Sequence, residues 1–281
     1  MKELTLEITN RCSLNCILCS TIAGPKGDIF LSLNKIEEII DKYEDFNVVR
    51  LSGGEPFEHP KLNKICKLIK SKNKKVKILS SGIFYDYSLP LGWLKDMDKN
   101  IDEVIFSYHG REKIHESITN PEKKKKEYTN LLYASIDKVT ILKIPYSFET
   151  VVIKKNFNRL EEIAKMMSLF AFHKWFNTTR LRADELTDTR WHLLKFVKQG
   201  RGLENSDLAL SYKESKKIPL IAEKLMDKYP ALIITCSNSF ENKKCDCGSK
   251  KAVYTCYNEE IPCSALKNSI YRGRFSCRFR N

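Results

Sequence analysis

No apolar stretch in this chain approaches the ~20 residues that a membrane-crossing helix requires. The longest, such as Ile218–Ala222 and Ala231–Cys236, are short and read as buried elements. The opening segment, Met1-Lys2-Glu3-Leu4-Thr5-Leu6-Glu7, sets acid inside an alternating, strand-like run and lacks the apolar core of a signal peptide. A cytoplasmic protein with no membrane association is the expectation. Negative charge is also scarce: 35 Asp and Glu face 49 Lys and Arg, a net charge of +14. The excess lysines, including Lys123–Lys126 and Lys154-Lys155, are scattered through helical segments. No aromatic residues interleave with them as a base-stacking surface needs, so they read as a solvated surface rather than a nucleic-acid face. A basic chain does suit an anionic substrate.

Cysteine is nearly missing from the middle of the sequence. Of ten cysteines, Cys12, Cys16 and Cys19 lie at the start, and Cys236, Cys245, Cys247, Cys256, Cys263 and Cys277 near the end; only Cys66 lies between. Clusters of this kind in a reducing compartment argue for metal rather than for disulfides.

What is present is an alternation of short apolar strands and amphipathic helices. Strands are predicted at Leu4–Thr9, Val48–Leu51, Val76–Ser80, Glu103–Tyr108, Val139–Pro145 (continuing toward Ile153) and Leu193–Val197. Helices are predicted at Leu33–Tyr43, with Ile36, Ile39 and Ile40 on one face, and at Leu62–Ser71, Leu89–Met97, Glu127–Ser135 and Leu160–Phe170. Repeated βα units imply parallel strands joined by right-handed crossovers. Six of them make a partial (β/α)6 barrel of α/β class, with its chemistry at the C-terminal strand ends. Beyond Arg201-Gly202 the pattern changes to a loop and helix over Leu203–Tyr229, a strand at Leu232–Thr235 and a Cys-rich tail. The expected division is a barrel over 1–204 and a small extension over 205–281.

Three thiols directly after the first strand, Cys12-x3-Cys16-x2-Cys19, can hold three irons of a 4Fe–4S cluster and leave the fourth iron open to a small ligand. A structural zinc site would want a fourth ligand, and none lies nearby in the sequence. This spacing resembles the hallmark of the radical S-adenosylmethionine (SAM) superfamily. The position before the third Cys, usually aromatic there, is Leu18. One βα unit later, Gly53-Gly54-Glu55-Pro56 resembles the family motif that binds the methionine amino group of SAM. Ser81, Ser107 and Val197, at later strand ends, match the family's SAM-contacting segments more loosely. For Ser81 and Ser107 the alternative is that they cap backbone groups. His109 and His115 are read as surface or loop residues, with a substrate-facing place as the alternative.

The tail resembles the twitch/SPASM extension of the same superfamily, which binds an auxiliary 4Fe–4S cluster. Cys263 follows Pro262 at the end of a hairpin, and Asn258 stands where a hairpin-tip Gly is usual. Asn also tolerates a left-handed backbone. Cys245, Cys263 and Cys277 are the implied ligands, with Cys247 an alternative or a fourth; a four-Cys zinc site competes with this reading. Cys236 and Cys256 are read as buried and inert.

The resemblance implies an enzyme that reductively cleaves SAM to a 5′-deoxyadenosyl radical and abstracts hydrogen from a substrate. A reductant such as flavodoxin or ferredoxin would supply the electron. A peptide or protein is the leading substrate. A nucleotide is the alternative, as in the GTP cyclase of molybdopterin synthesis, or a tRNA; a zinc-dependent binding module is the non-enzymatic rival.

Overall fold

The computed structural model describes residues 2–119, 128–177, 189–237, 240 and 250–262, with 173–177 described as backbone only. Strand β1 (Glu3–Thr9) shows why the sheet forms. Leu4, Leu6 and Ile8 are fully buried on one face, while Thr5, Glu7 and Thr9 alternate onto the other. Helix α1 (Leu33–Lys42) begins where the Ser32 side chain accepts the Lys35 N–H at 3.2 Å, and it buries Ile36, Ile39 and Ile40 against the sheet. There follow β2 (Val48–Gly53), α2 (Leu62–Ser71), β3 (Lys75–Ser80), a small hairpin of β4 (Ile83–Phe84) and β5 (Tyr87–Ser88), and α3 (Leu91–Met97).

The middle of the chain contributes β6 (Glu103–Ser107), α4 (Glu112–Thr119), α5 (Tyr128–Ile141), β7 (Tyr146–Val152), α6 (Lys154–Phe157), α7 (Leu160–Asn177) and β8 (Thr189–Lys195). The last described elements are α8 (Tyr212–Ser215), α9 (Ile218–Lys228), β9 (Leu232–Cys236), β10 (Lys251–Tyr254) and β11 (Glu260–Ile261).

The main sheet has the order β11-β10-β1-β2-β3-β6-β7-β8-β9. The six predicted strands occupy consecutive places within it and are mutually parallel, so their C-terminal ends share one edge. This is the open α/β barrel expected from the βα repeats. Two further parallel strands extend it, β9 beside β8 and β10 beside β1. The hydrophobic core lies between the outer sheet face and the helices, where Val49, Leu51, Ile78, Val104, Phe148 and Trp191 meet Ile40, Ile65, Leu132, Ile136 and Ile163.

Among the element boundaries that differ from expectation, two concern strands of the sheet. Val139–Ile141 closes α5 instead of opening a strand, because Leu132, Ile136 and Val139 all turn into the core at helical spacing. That burial overrides the β-propensity of a Val-Thr-Ile run. The helix ends at Ile141, Lys143 turns the chain with φ +57°, and β7 starts only at Tyr146. Strand β8 begins at Thr189 and stops at Lys195, short of Val197. Its anchor is Trp191, fully buried and donating its indole N–H to Thr150 Oγ1 at 2.8 Å.

Candidate active site

The chain leaving β1 folds into a loop tied down by its own backbone. Arg11 N–H donates to Thr9 Oγ1 at 2.9 Å, Cys12 N–H to Gly24 O at 3.1 Å and Gly24 N–H to Asn10 O at 3.1 Å. Within it Cys12 is buried, and Cys16 and Cys19 are partly buried, against Leu14, Ala23, Ile83, Tyr128 and Leu131. Backbone N–H groups aim at two of the sulfurs: Leu14 at Cys12 Sγ and Ala23 at Cys19 Sγ, both at 3.4 Å. Burial, and then the other cysteines, push the Cys16 thiol up to about 12 and the Cys12 thiol well above its usual value. Without a metal both thiols therefore keep their protons at neutral pH.

The Gly53-Gly54-Glu55 turn locks onto the base of this loop. Gly54 N–H donates to Thr9 O at 2.6 Å and Glu55 N–H to Arg11 O at 2.7 Å. Gly53 has φ +115°, and a Cβ added at Gly54 would lie 1.9 Å from Arg11 O. The glycines are thus required by close approach to the chain's own loop. Glu55 is buried, and its carboxylate accepts from Ser80 Oγ at 2.9 Å, from the N–H and Oγ of Ser81 at 2.8 and 2.7 Å, and from Phe57 N–H at 3.2 Å. Burial outweighs these bonds and pushes the acid up to about 7. A carboxylate so poised gains most from a cationic partner.

Glu58 was missed in the sequence. It is buried on the short 3-10 turn Pro56–Glu58 and accepts from Ser13 N–H at 3.0 Å, from the Ser13 hydroxyl and from Tyr85 N–H at 3.3 Å. Arg11 Nε stands 3.5 Å away. The i, i+3 spacing of Glu55 and Glu58 was the available signal. Arg201, read only as part of a boundary, and Gly200, not singled out, also reach this loop.

The remaining candidates are less tightly joined. Ser107 ends β6, in register with Glu149, and half-buried Val197 follows β8. Among the described residues neither is hydrogen-bonded to the cysteine loop or to Glu55. His109 and His115 are not surface residues. Both are buried, with rings stacked at 5.8 Å, and the His109 N–H donates to His115 Nδ1 at 3.1 Å. Burial lowers their pKa to about 4 and about 3, so they are neutral packing groups. Cys245, Cys247, Cys263 and Cys277 lie outside the described residues. Cys236 ends β9 and Cys256 follows β10, both buried, while Asn258 takes φ +62° as its tolerance allows. From the turn between β10 and β11, Tyr257 OH donates to Thr21 O of the cysteine loop at 3.2 Å.

Three sulfur donors, two of them with N–H groups aimed at them, suit soft-metal ligation. Among the described residues no three His, Cys, Asp or Glu side chains gather closely enough for a single metal ion. The thiolates of a cubane cluster bind different irons and need not converge on one point. No helix among the described residues is long and apolar enough to cross a membrane.

An open, mostly parallel α/β barrel with a three-cysteine loop at its strand ends defines an enzyme of the radical SAM type. The sequence profile of the radical SAM superfamily matches residues 6–167, and the chain belongs to that superfamily. Membership implies a 4Fe–4S cluster and SAM. The antilisterial bacteriocin subtilosin biosynthesis protein AlbA of Bacillus subtilis is 34% identical over 80 residues, covering 28% of this chain and 18% of AlbA. A probable GTP 3′,8-cyclase of Methanothermobacter marburgensis is 31% identical over 110 residues, covering 38% of this chain and 34% of the cyclase. The alignments thus span about a third or less of these curated relatives. The fold also matches Streptococcus suis SuiB bound to its precursor peptide SuiA, with TM-score 0.68 and 12% identity over 96% of this chain and 61% of SuiB.

Proposed function

We propose that Cys12, Cys16 and Cys19 hold the 4Fe–4S cluster and that Glu55 receives the methionine ammonium group of SAM beside it. When bound, the pair supplies one-electron reductive cleavage of SAM, releasing methionine and a 5′-deoxyadenosyl radical that takes a hydrogen atom from substrate. The observation that carries this is the buried Glu55 carboxylate, fixed by Ser80 and Ser81 on the turn that bonds Thr9 and Arg11 at the loop's base. Gly53 and Gly54 permit that contact; Ser107 and Val197 would border the rest of SAM from the same sheet edge. The protein's part is to fix SAM and one substrate C–H bond in reacting geometry and to exclude water.

The substrate in this reading is a peptide or protein segment. A bacteriocin biosynthesis protein among the relatives, and the same fold solved on a precursor peptide, support it. In the same reading residues 1–204 carry SAM cleavage, and 205–281 carry an auxiliary iron–sulfur cluster on Cys245, Cys247, Cys263 and Cys277. A nucleotide substrate is the second reading, favoured by the +14 charge and the cyclase match. A flavodoxin or ferredoxin would supply the electron. Anaerobically reconstituted protein, analysed for iron and sulfide, should release 5′-deoxyadenosine from SAM under dithionite. Deuterium transfer into 5′-deoxyadenosine from labelled peptide, but not from labelled GTP, would decide between the substrates. Reconstituted protein that binds zinc but no iron would overturn the assignment.

A further inference from the structure

The segment after β8 grips the cysteine loop from far along the chain. Arg201 donates Nε–H to Cys16 O at 2.8 Å and an Nη2–H to Ala23 O at 2.6 Å, and its backbone N–H bonds Cys19 O at 3.1 Å. Gly200 makes the approach possible: its φ is +57°, and a Cβ there would lie 2.3 Å from Cys19 O. Asn205 completes the grip, its amide donating to Arg201 O at 2.9 Å and to Ile17 O at 3.4 Å. Backbone carbonyls from Cys16 to Ala23 are thus bound by a turn that shares no motif with the loop.

Arg201 brings a charge as well as donors. Among the described residues no carboxylate lies within ion-pair distance of it, and the guanidinium is partly buried. Its positive charge acts on the neighbouring Cys16 sulfur against the effects of burial and of Cys19. An arginine that only staples a loop could be replaced by any donor of similar reach. An unpaired cation beside a ligand sulfur cannot, because its field persists whatever the loop geometry.

We propose that Arg201 is a positioning residue for the cysteine loop whose charge also raises the reduction potential of the cluster beside it. The inference rests on the ligand role of Cys12, Cys16 and Cys19. One-electron reduction adds a negative charge to the cluster. A fixed cation nearby, in a medium of low dielectric, stabilises the reduced form more than the oxidised one. The turn would thereby help a weak biological reductant to load the electron that SAM cleavage needs.

The test compares full-length wild type with Arg201→Gln and Arg201→Lys after anaerobic reconstitution. Iron and sulfide are counted, and the midpoint potential is measured by electron paramagnetic resonance. The signal followed is the one that changes on adding SAM, which selects the cluster with the open iron. Arg201→Gln should hold its iron and titrate at a more negative potential, and Arg201→Lys should stay at the wild-type potential. Equal potentials in all three proteins would overturn the proposal, and so would a Lys variant shifted as far as the Gln variant. Should Arg201→Gln fail to hold iron, the Lys variant decides alone. An unchanged potential with looser iron retention supports the dual role, and a negative shift defeats it. Absence of any SAM-responsive signal in wild type would instead remove the ligand assignment itself.

Discussion

Ser81 donates both its backbone N–H and its hydroxyl to the same oxygen of Glu55, at 2.8 and 2.7 Å. The third strand's end thereby decides where the acid of the second βα turn sits. Ser80 holds the other oxygen at 2.9 Å. The carboxylate is pre-aimed before any ligand arrives, so a ligand ammonium meets a fixed partner.

That arrangement predicts a pH dependence. Burial raises the Glu55 acid to about 7, so below that pH it is neutral and offers no charge to an ammonium group. SAM affinity should rise with pH through about 7 and fall again as the α-ammonium of SAM loses its proton at about pH 8. Ser81→Ala removes the hydroxyl bond that favours the ionised form and leaves the backbone one, so its midpoint should move to higher pH. Folded-state stability runs the other way. An acid raised from the usual carboxylate range to about 7 binds more protons folded than unfolded between those values, so stability falls as pH rises through that window. Isothermal titration with SAM from pH 6 to 9 checks the first claim; a flat profile contradicts it.

Glu55→Ala should retain iron but lose SAM affinity. Removing one partner of a desolvated charge pair costs about 2–5 kcal/mol, equivalent to roughly thirty-fold or more in Kd. Iron content of the variant separates loss of ligand binding from loss of the loop.

Cys12→Ala, Cys16→Ala and Cys19→Ala should each abolish release of 5′-deoxyadenosine under dithionite. Unchanged release by Cys16→Ala, measured by chromatography, would remove the N-terminal cysteines from the chemistry.

Gly54→Ala tests the close approach of the turn to the loop. The added methyl would lie 1.9 Å from Arg11 O, so the turn must separate from the loop. The expected result is an iron-poor protein with a lowered melting temperature, whereas Gly92→Ala, which meets nothing within 4 Å, should behave as wild type. Equal iron in both variants would show that the contact is dispensable.

The triple variant Cys245→Ala, Cys263→Ala, Cys277→Ala should lose about half of the iron, keep uncoupled SAM cleavage and lose substrate turnover. A wild type with about four irons and one zinc per chain would make the tail a zinc site.

Most of the barrel was legible because period-two burial along β1 and helical spacing along α1 follow directly from side-chain placement. The last two sheet neighbours were not. Nothing local in Leu232–Cys236 or Lys251–Tyr254 says that these segments pair with β8 and β1, because pairing partners are set by topology. The Val139–Ile141 reading failed for a related reason: only the location of the core reveals that three β-branched residues finish a helix. In the site, motif residues such as Glu55 could be found by spacing. Glu58, Gly200 and Arg201 could not be ranked, since each acts by meeting a loop remote from it in sequence. Why His109 and His115 are buried is likewise a matter of the packing of Tyr108 and Asn156 around them.

The parallel pairing of β10 with β1 sets an order on assembly. Residues near 250 must be synthesised before the outer edge of the first strand is covered. Until then β1 presents a row of unpaired backbone groups beside the cysteine loop, a surface open to mispairing with other chains. Tyr257, which reaches Thr21 in that loop, arrives with the same segment. A nascent chain released early would therefore carry every N-terminal cysteine and yet leave the first strand with an open edge.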